Sequence, residues 1–293
     1  MSRASIANRY KVTDGRKFRL SDYDPSDCCD LDIDKREAKE RLEQDIKSLS
    51  ELQERLYAQD RWSVLLIFQA MDAAGKDSAI EHVMKGINPQ GCQVHSFKAP
   101  TATELDHDYM WRTTCALPER GRIGVFNRSY YEEVLVVRVR PEILGKQRLP
   151  EAVVSKNIWE ERFEDIRNFE RYLARNGTLI LKFFLNVSKE EQKKRFLDRI
   201  DEPAKNWKFN IGDVAERALW DKYMNAYEDA IRNTADDHAP WFVVPADKKW
   251  FTRLVVAAAI DEAMQGLNLQ FPKLDSTGLE EIRKAREILM KEK

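Results

Sequence analysis

Apolar positions along the 293-residue chain fall into two alternating patterns. From Lys35 to Ala58, Ala38, Leu42, Ile46, Leu49, Leu52 and Leu56 recur every three or four residues, as on one face of an amphipathic helix. Ser63–Gln69 (SVLLIFQ) is then a continuous apolar run, the form expected of a strand covered on both faces of a parallel sheet. Comparable runs follow at Gln93–Phe97, Arg122–Phe126 and Trp241–Val244, and Thr178–Val187 (TLILKFFLNV) is the strongest. Helical patterns begin at Ser78 and recur at Ala102–Ala116, Tyr131–Val139, Val153–Arg175, Lys189–Arg199, Asp213–Asn233 and Trp250–Met264. Strands alternating with helices predict an α/β domain whose parallel sheet is joined by right-handed crossovers.

The expected organisation has three parts. Residues 1–60 form an arm and a helix packed on the core, residues 61–270 the α/β domain, and residues 271–293 a C-terminal helix. Met1–Asp34 is polar, carries the turn pairs Asp14-Gly15 and Asp24-Pro25, and reads as irregular.

Composition narrows the function classes. With 43% hydrophobic residues, 11 Gly and 10 Pro, the chain is neither disordered nor fibrous. Its 49 basic and 50 acidic residues leave a net charge of −1, which argues against coating nucleic acid but not against a local basic groove. No apolar run approaches the roughly 18–20 residues that span a bilayer, and no apolar stretch follows the basic N-terminus, so neither membrane association nor secretion is expected. Cys28, Cys29, Cys92 and Cys115 lack disulfide or zinc spacing, which suits reduced thiols in a cytoplasmic protein.

The first chemical signal follows the run at Ser63. Ala70-Met-Asp-Ala-Ala-Gly-Lys-Asp77 matches the phosphate-loop pattern G-x-x-x-x-G-K-[ST] at Gly75 and Lys76, between a strand and a helix. Ala70 stands where the first Gly would be, and Asp77 replaces Ser/Thr. Backbone N–H groups of Ala73, Ala74, Gly75 and Ser78 at such a helix start face an anion, and Lys76 adds a mobile positive charge. Asp72 and Asp77 lie where phosphates belong and would repel them, so a divalent cation is expected between. Capping of the next helix is an equal role for Asp77.

The second signal is Gly124-Val-Phe-Asn-Arg-Ser-Tyr-Tyr-Glu-Glu133, also at a strand end. Ligands of parallel α/β sheets bind beyond the carboxyl ends of strands, which puts Asn127 and Arg128 on the rim of the phosphate loop. Arg128 suits a phosphoryl oxygen. Ser129, three residues before Glu132, has capping-box spacing. A third signal is the run Lys189–Lys208 (KEEQKKRFLDRIDEPAKNWK), which with the segment through His238 suggests a basic helical lid over about residues 200–238.

Taken together, AMDAAGKD, NPQGCQVHSFKAPT (Asn88–Thr101), FNRSYYEEVLVVRV, ILKFFLNVSKEEQKKR, WKFNIGDVAERALWDKY and APWFVVPADKKW resemble the polyphosphate kinase 2 family, from about Arg19 to Leu267. The resemblance implies a P-loop kinase-like fold related to thymidylate kinases: a parallel sheet sandwiched by helices, with a helical basic lid. It implies magnesium-dependent, reversible transfer of the terminal phosphate of inorganic polyphosphate to a nucleotide. By the same resemblance Asp72, Lys76 and Asp77 occupy the Walker A positions, with Asp72 and Asp77 toward the metal, and Asn127 and Arg128 the Walker B-like position. Arg195, Arg199, Lys205, Lys208 and Arg217 fall in the lid. FNRSxYE is similar to the subclass accepting AMP as well as ADP, with guanine nucleotides left open, and members assemble as homodimers or homotetramers. Competing readings are a kinase restricted to ADP and GDP, an ATP-dependent kinase of small metabolites, and a non-catalytic polyanion-binding module.

Overall fold

The computed structural model describes residues 3–29 and 35–292; residues 1–2 and 30–34 of the expected arm, and Lys293, lie outside the described residues. Its strands are β1 (Lys11–Val12), β2 (Ser63–Gln69), β3 (Cys92–Ser96), β4 (Ile123–Asn127), β5 (Thr178–Asn186) and β6 (Trp241–Pro245). They form one sheet in the order β1-β6-β5-β2-β4-β3, parallel except for β1. The run Ser63–Gln69 is buried throughout because it pairs with β4 on one side and β5 on the other. That central place explains why it has no polar face.

The principal helices are α1 (Arg3–Asn8), α2 (Lys35–Gln59), α3 (Lys76–Val83), α4 (Ile158–Arg175), α5 (Lys189–Asp201), α6 (Ile211–Arg217), α7 (Trp220–Thr234), α8 (Lys249–Gln265) and α9 (Ser276–Leu289). Helix α8 is apolar nearly all round because α1, α2, α3 and the sheet enclose it. Leu49, Leu52 and Leu56 form the buried stripe of α2 that meets it, as their spacing predicts.

Several elements differ from expectation. The pattern at 102–116 is two single turns, Ala102–Leu105 and Trp111–Thr114. Thr101 and Glu104 close a capping box at the first turn, and Asp108 Oδ1 accepts from Met110 N to start the second, so local side chains compete with a continuous helix. Tyr131–Val139 is likewise a 3-10 turn, Tyr130–Glu133, followed by the turn Val136–Val139. The helix expected from Val153 starts at Ile158, and that from Asp213 is broken between Arg217 and Trp220. The arm holds a helix and a strand, anchored by buried Ile6, Tyr10, Val12 and Phe18. Gly15 permits its close approach to α7, since a Cβ there would lie 2.0 Å from the Arg232 carbonyl oxygen.

One polar cluster sits inside this core. Lys182 of β5 and Glu170 of α4 are fully buried, with Nζ 2.6 Å from Oε2. Tyr130 and Tyr131 hydroxyls donate to Glu170 Oε1 (2.9 and 2.8 Å), and Lys182 also donates to Tyr131 Oη and the Thr234 carbonyl (3.0 and 2.8 Å). Every charge is therefore met, as burial requires. The cluster pins the turn that follows β4, and with it the position of Arg128.

Candidate active site

The loop after β2 is built from two left-handed residues. Ala73 has φ +61° and Gly75 φ +102°, and Gly75 is the N-cap of α3. Space is not what selects glycine at 75, because a Cβ would meet only Arg195 Nη1 at 3.7 Å; the backbone conformation is. Ala70, where the motif has its first glycine, uses its carbonyl to accept from Lys76 Nζ at 3.0 Å. Lys76 is buried, and desolvation, followed by the positive charge of Arg128, holds its pKa below the ordinary value.

Beyond the loop lies a cavity of about 810 Å³. Asp72, Ala73, Ala74, Gly75, Lys76, Asp77 and Ser78 line one wall, and Asn127 and Arg128 from the end of β4 adjoin them. Arg199 from the last turn of α5, and Lys205 and Lys208 from the segment after it, face them. Asn127 Nδ2 donates to Asp77 Oδ1 (2.6 Å), and Arg128 Nη2 to Asp72 Oδ1 (3.0 Å). Asp77 therefore faces β4 rather than capping α3, whose cap carries no side-chain hydrogen bond. The Ser78 hydroxyl accepts from Arg253 Nη2 at 2.8 Å. Ser129 does cap the next turn, accepting from Tyr131 N at 3.1 Å.

Arg128 is itself strained, at φ +66°, with its N–H donating to the Phe68 carbonyl (3.0 Å). Glu132 Oε2 lies 3.6 Å from its Nη1, and that carboxylate is the main cause of the upward shift of the Arg128 pKa. Burial pushes the Glu132 carboxyl up, against the opposing pull of Arg128. In the amide orientation that satisfies its neighbours, buried Gln69 donates to Glu132 Oε1 (2.9 Å) and accepts from Ser129 N (3.2 Å). A second cavity, of about 260 Å³, opens on the far side of Arg128 and shares Lys98, Ala99 and Arg128 with the first.

Two cations expected to bind phosphate are engaged with the protein itself. Arg195 lies beneath the phosphate loop, where its five N–H donors are all engaged. Nε donates to Glu191 (2.8 Å), Nη1 to the Ala73 and Ala74 carbonyls (3.1 and 2.8 Å), and Nη2 to those of Ala246 and Asp247 (2.7 and 3.1 Å). It touches the cavity wall with no donor left for a ligand. Arg217 is outside the cavity lining and donates to the Lys189 carbonyl and Gln192 Oε1 (2.7 and 2.8 Å). The excursion also narrows: α7, expected within 200–238 of the lid, buries Trp220, Tyr223, Tyr227 and Ile231 in the core.

Sequence reasoning gave no role to Asp213, Lys98, Lys249 and Trp207, which also line the cavity, or to Gln192. Asp213 sits 3.8 Å from Arg199, and burial followed by the nearby Asp72 charge raises its carboxyl pKa. The position of Asp213 in WKFNIGDV was visible; nothing in that stretch signals which side chain turns inward.

Asp72 and Asp77 supply hard oxygen donors on the loop wall, and such a pair fits magnesium, which keeps waters and takes only one or two carboxylates beside substrate phosphates. Among the described residues no group of three or more His, Cys, Asp or Glu side chains is placed to hold a metal ion.

The central strand, the glycine-lysine loop at its end and the helix behind it define a P-loop kinase-like α/β protein. The chain belongs to the polyphosphate kinase 2 family, whose model, Polyphosphate kinase 2, matches residues 32–272. It is 51% identical over 284 residues to an ADP-polyphosphate phosphotransferase of Rhodopseudomonas palustris, covering 97% of this chain and 98% of that one. An AMP/ADP-polyphosphate phosphotransferase of Meiothermus ruber is 44% identical over 265 residues, 90% of this chain and 95% of the relative. The crystal structure of Polyphosphate Kinase 2 from Arthrobacter aurescens TC1 superposes with a TM-score of 0.86 at 40% identity, covering 96% of each chain. The family and fold drawn from the sequence motifs are thereby borne out. Among the described residues no helix is long and apolar enough to cross a membrane.

Proposed function

We propose that the protein is a polyphosphate-dependent nucleotide phosphotransferase that converts AMP to ADP and ADP to ATP. One observation carries the reading: Arg128 stands at the junction of two cavities, one lined by Lys76, Arg199, Lys205 and Lys208, the other smaller and lined by aromatic and carboxylate side chains together with Lys98, Arg112 and Lys146. The first suits a polyanionic donor and the second an acceptor nucleotide, with the reacting phosphates meeting at Arg128. The names of the relatives support polyphosphate as donor and adenine nucleotides as acceptors.

The chemistry asks little of the protein beyond position and charge. The bond from the terminal phosphorus of the donor to its bridging oxygen breaks, and a bond from that phosphorus to an acceptor phosphate oxygen forms. An acceptor phosphate is already ionised, so no general base is needed. Lys76, Arg128 and the loop N–H groups stabilise charge spread over the transferring group. Magnesium, held by Asp72 and Asp77 together with phosphate oxygens, would neutralise charge between donor and acceptor. Anhydride is exchanged for anhydride, so the reaction runs both ways. The reading includes a cytoplasmic site of action, supported by four free cysteines, and assembly as a dimer or tetramer, which light scattering tests.

The test is incubation with magnesium, long-chain polyphosphate and either AMP or ADP, with products separated by chromatography. ADP and ATP formed from AMP support the full reading. ATP from ADP with AMP inert would restrict the acceptor to diphosphates, which the Rhodopseudomonas relative's name favours. No transfer with polyphosphate, but transfer with ATP, would overturn the donor assignment.

A further inference from the structure

Three successive carbonyls of the phosphate loop are held by one face of a single helix. Gln192 Nε2 donates to the Asp72 carbonyl at 2.9 Å, and Arg195, three residues on along α5, donates to those of Ala73 and Ala74. A trans peptide points its carbonyl and its N–H in opposite directions. Drawing the carbonyls of residues 72 and 74 towards α5 therefore turns the N–H groups of Ala73 and Gly75 the other way, towards the cavity both residues line. The N–H of Ala74 instead closes a turn onto the Met71 carbonyl at 3.2 Å.

Gln192 is 1% exposed and both ends of its amide are engaged. Its Oε1 accepts from Arg217 Nη1, and Arg217 is the last residue of α6, the lid helix that also carries Asp213. A line of hydrogen bonds thus runs from the lid through Gln192 to the backbone of Asp72. We propose that Gln192 and Arg217 are positioning residues: Gln192 fixes the Asp72 peptide, and Arg217 couples the lid helix to the phosphate loop through it, without touching the polyanion. The inference rests on the reading of the larger cavity as the polyphosphate site. Arg217 would otherwise be taken for one more phosphate-binding cation of the lid; its place outside the cavity is what separates the two roles.

The test uses the full chain as wild type and as Gln192→Met, Gln192→Glu, Arg217→Met and the double variant Gln192→Met/Arg217→Met. Displacing a reacting group by an ångström costs about a hundredfold in rate, so a loop freed at one of three anchors should lose about tenfold in kcat, with KM for the acceptor nearly unchanged. Gln192→Glu keeps an acceptor for Arg217 but loses the donor to Asp72, and should match Gln192→Met. Arg217→Met should lower kcat in the wild-type background and add nothing to Gln192→Met, the signature of residues acting through one another. The salt dependence of KM for polyphosphate should be the same in Arg217→Met as in wild type, because a cation that touches no phosphate releases no counterion. Amide exchange over residues 72–77 needs no substrate and should quicken in all three single variants. A weakened salt dependence in Arg217→Met, additive losses in the double variant, or unchanged loop exchange would each overturn the proposal. Wild-type protein inert with polyphosphate would overturn the functional reading instead, and the exchange measurement would still decide the coupling.

Discussion

Arg128 Nη2 lies 3.0 Å from Asp72 Oδ1, which joins the end of β4 to the loop that follows β2. Both groups have a second use once phosphate enters: the guanidinium for phosphoryl oxygens, the carboxylate for a cation. Asp72→Asn keeps the shape and a partner for Arg128 but removes the charge. Turnover should fall by about two to three orders of magnitude, the scale of losing one preorganised electrostatic group, with a melting temperature within a few degrees of wild type. Initial rates and a thermal melt check both halves, and near-normal activity would remove Asp72 from the mechanism.

The buried Lys182–Glu170 pair makes a prediction about stability rather than rate. Burial lowers the Lys182 pKa while Glu170 opposes the shift, so the ion is maintained by its partner. Lys182→Met leaves Glu170 buried without its countercharge and should cost about 3–5 kcal/mol in urea denaturation. Lys182→Met/Glu170→Leu removes both charges and should recover much of that loss, although the Tyr130 hydroxyl then lacks an acceptor while that of Tyr131 keeps Thr234 Oγ1 at 2.9 Å. A double variant no more stable than the single one would show that the tyrosine contacts, not the charges, dominate.

The parts of this protein that were legible in the sequence share a physical cause. Ser63–Gln69 has one explanation, a strand covered on both faces, and Gly75-Lys76 at its end has few bland ones. Asn127 and Arg128 followed from the rule that ligands gather at carboxyl strand ends. The turns of residues 101–116 were not legible, because a capping box and an Asx turn decide them against the helical spacing. Arg195 and Arg217 were misplaced for a different reason. Arg195 in its run of lysines and arginines looks solvated and Arg217 was placed by resemblance alone; only the packing of α5 against the loop, and of α6 on α5, shows the acceptors on which these side chains are spent.

Glu132 gives stability a definite pH dependence. Burial raises its folded-state pKa above the ordinary 4.5, with Arg128 only partly offsetting the shift. Below that ordinary value the carboxyl is protonated in both states and costs nothing. As pH rises, the unfolded chain ionises first, so stability falls until the folded-state pKa is passed. Glu133 and Asp213 are shifted in the same direction, so the whole protein loses more than one group's share. Glu132→Gln isolates that share: its stability relative to wild type should grow from about pH 4.5 upward and then level off. Urea midpoints of both proteins across that range check the sign, and a difference that shrinks with rising pH would refute it.

The two lid lysines should not contribute equally to donor binding. Lys205 Nζ lies 2.6 Å from Glu202 Oε1, so part of its field is cancelled locally. Lys208 Nζ instead lies 4.9 Å over the ring of Trp207, a side chain 77% exposed at the cavity wall. The ring attracts the ammonium without neutralising it. Lys208→Met should therefore raise KM for long-chain polyphosphate more than Lys205→Met, by about three- to tenfold at low salt. Both effects should shrink as ionic strength approaches 1 M, where screening acts over about 3 Å. Trp207→Leu should weaken donor binding in the same direction but leave more of the salt dependence intact, since it removes the seat of the charge and not the charge. Equal KM changes for the two lysine variants would mean that Glu202 releases Lys205 when polyphosphate binds.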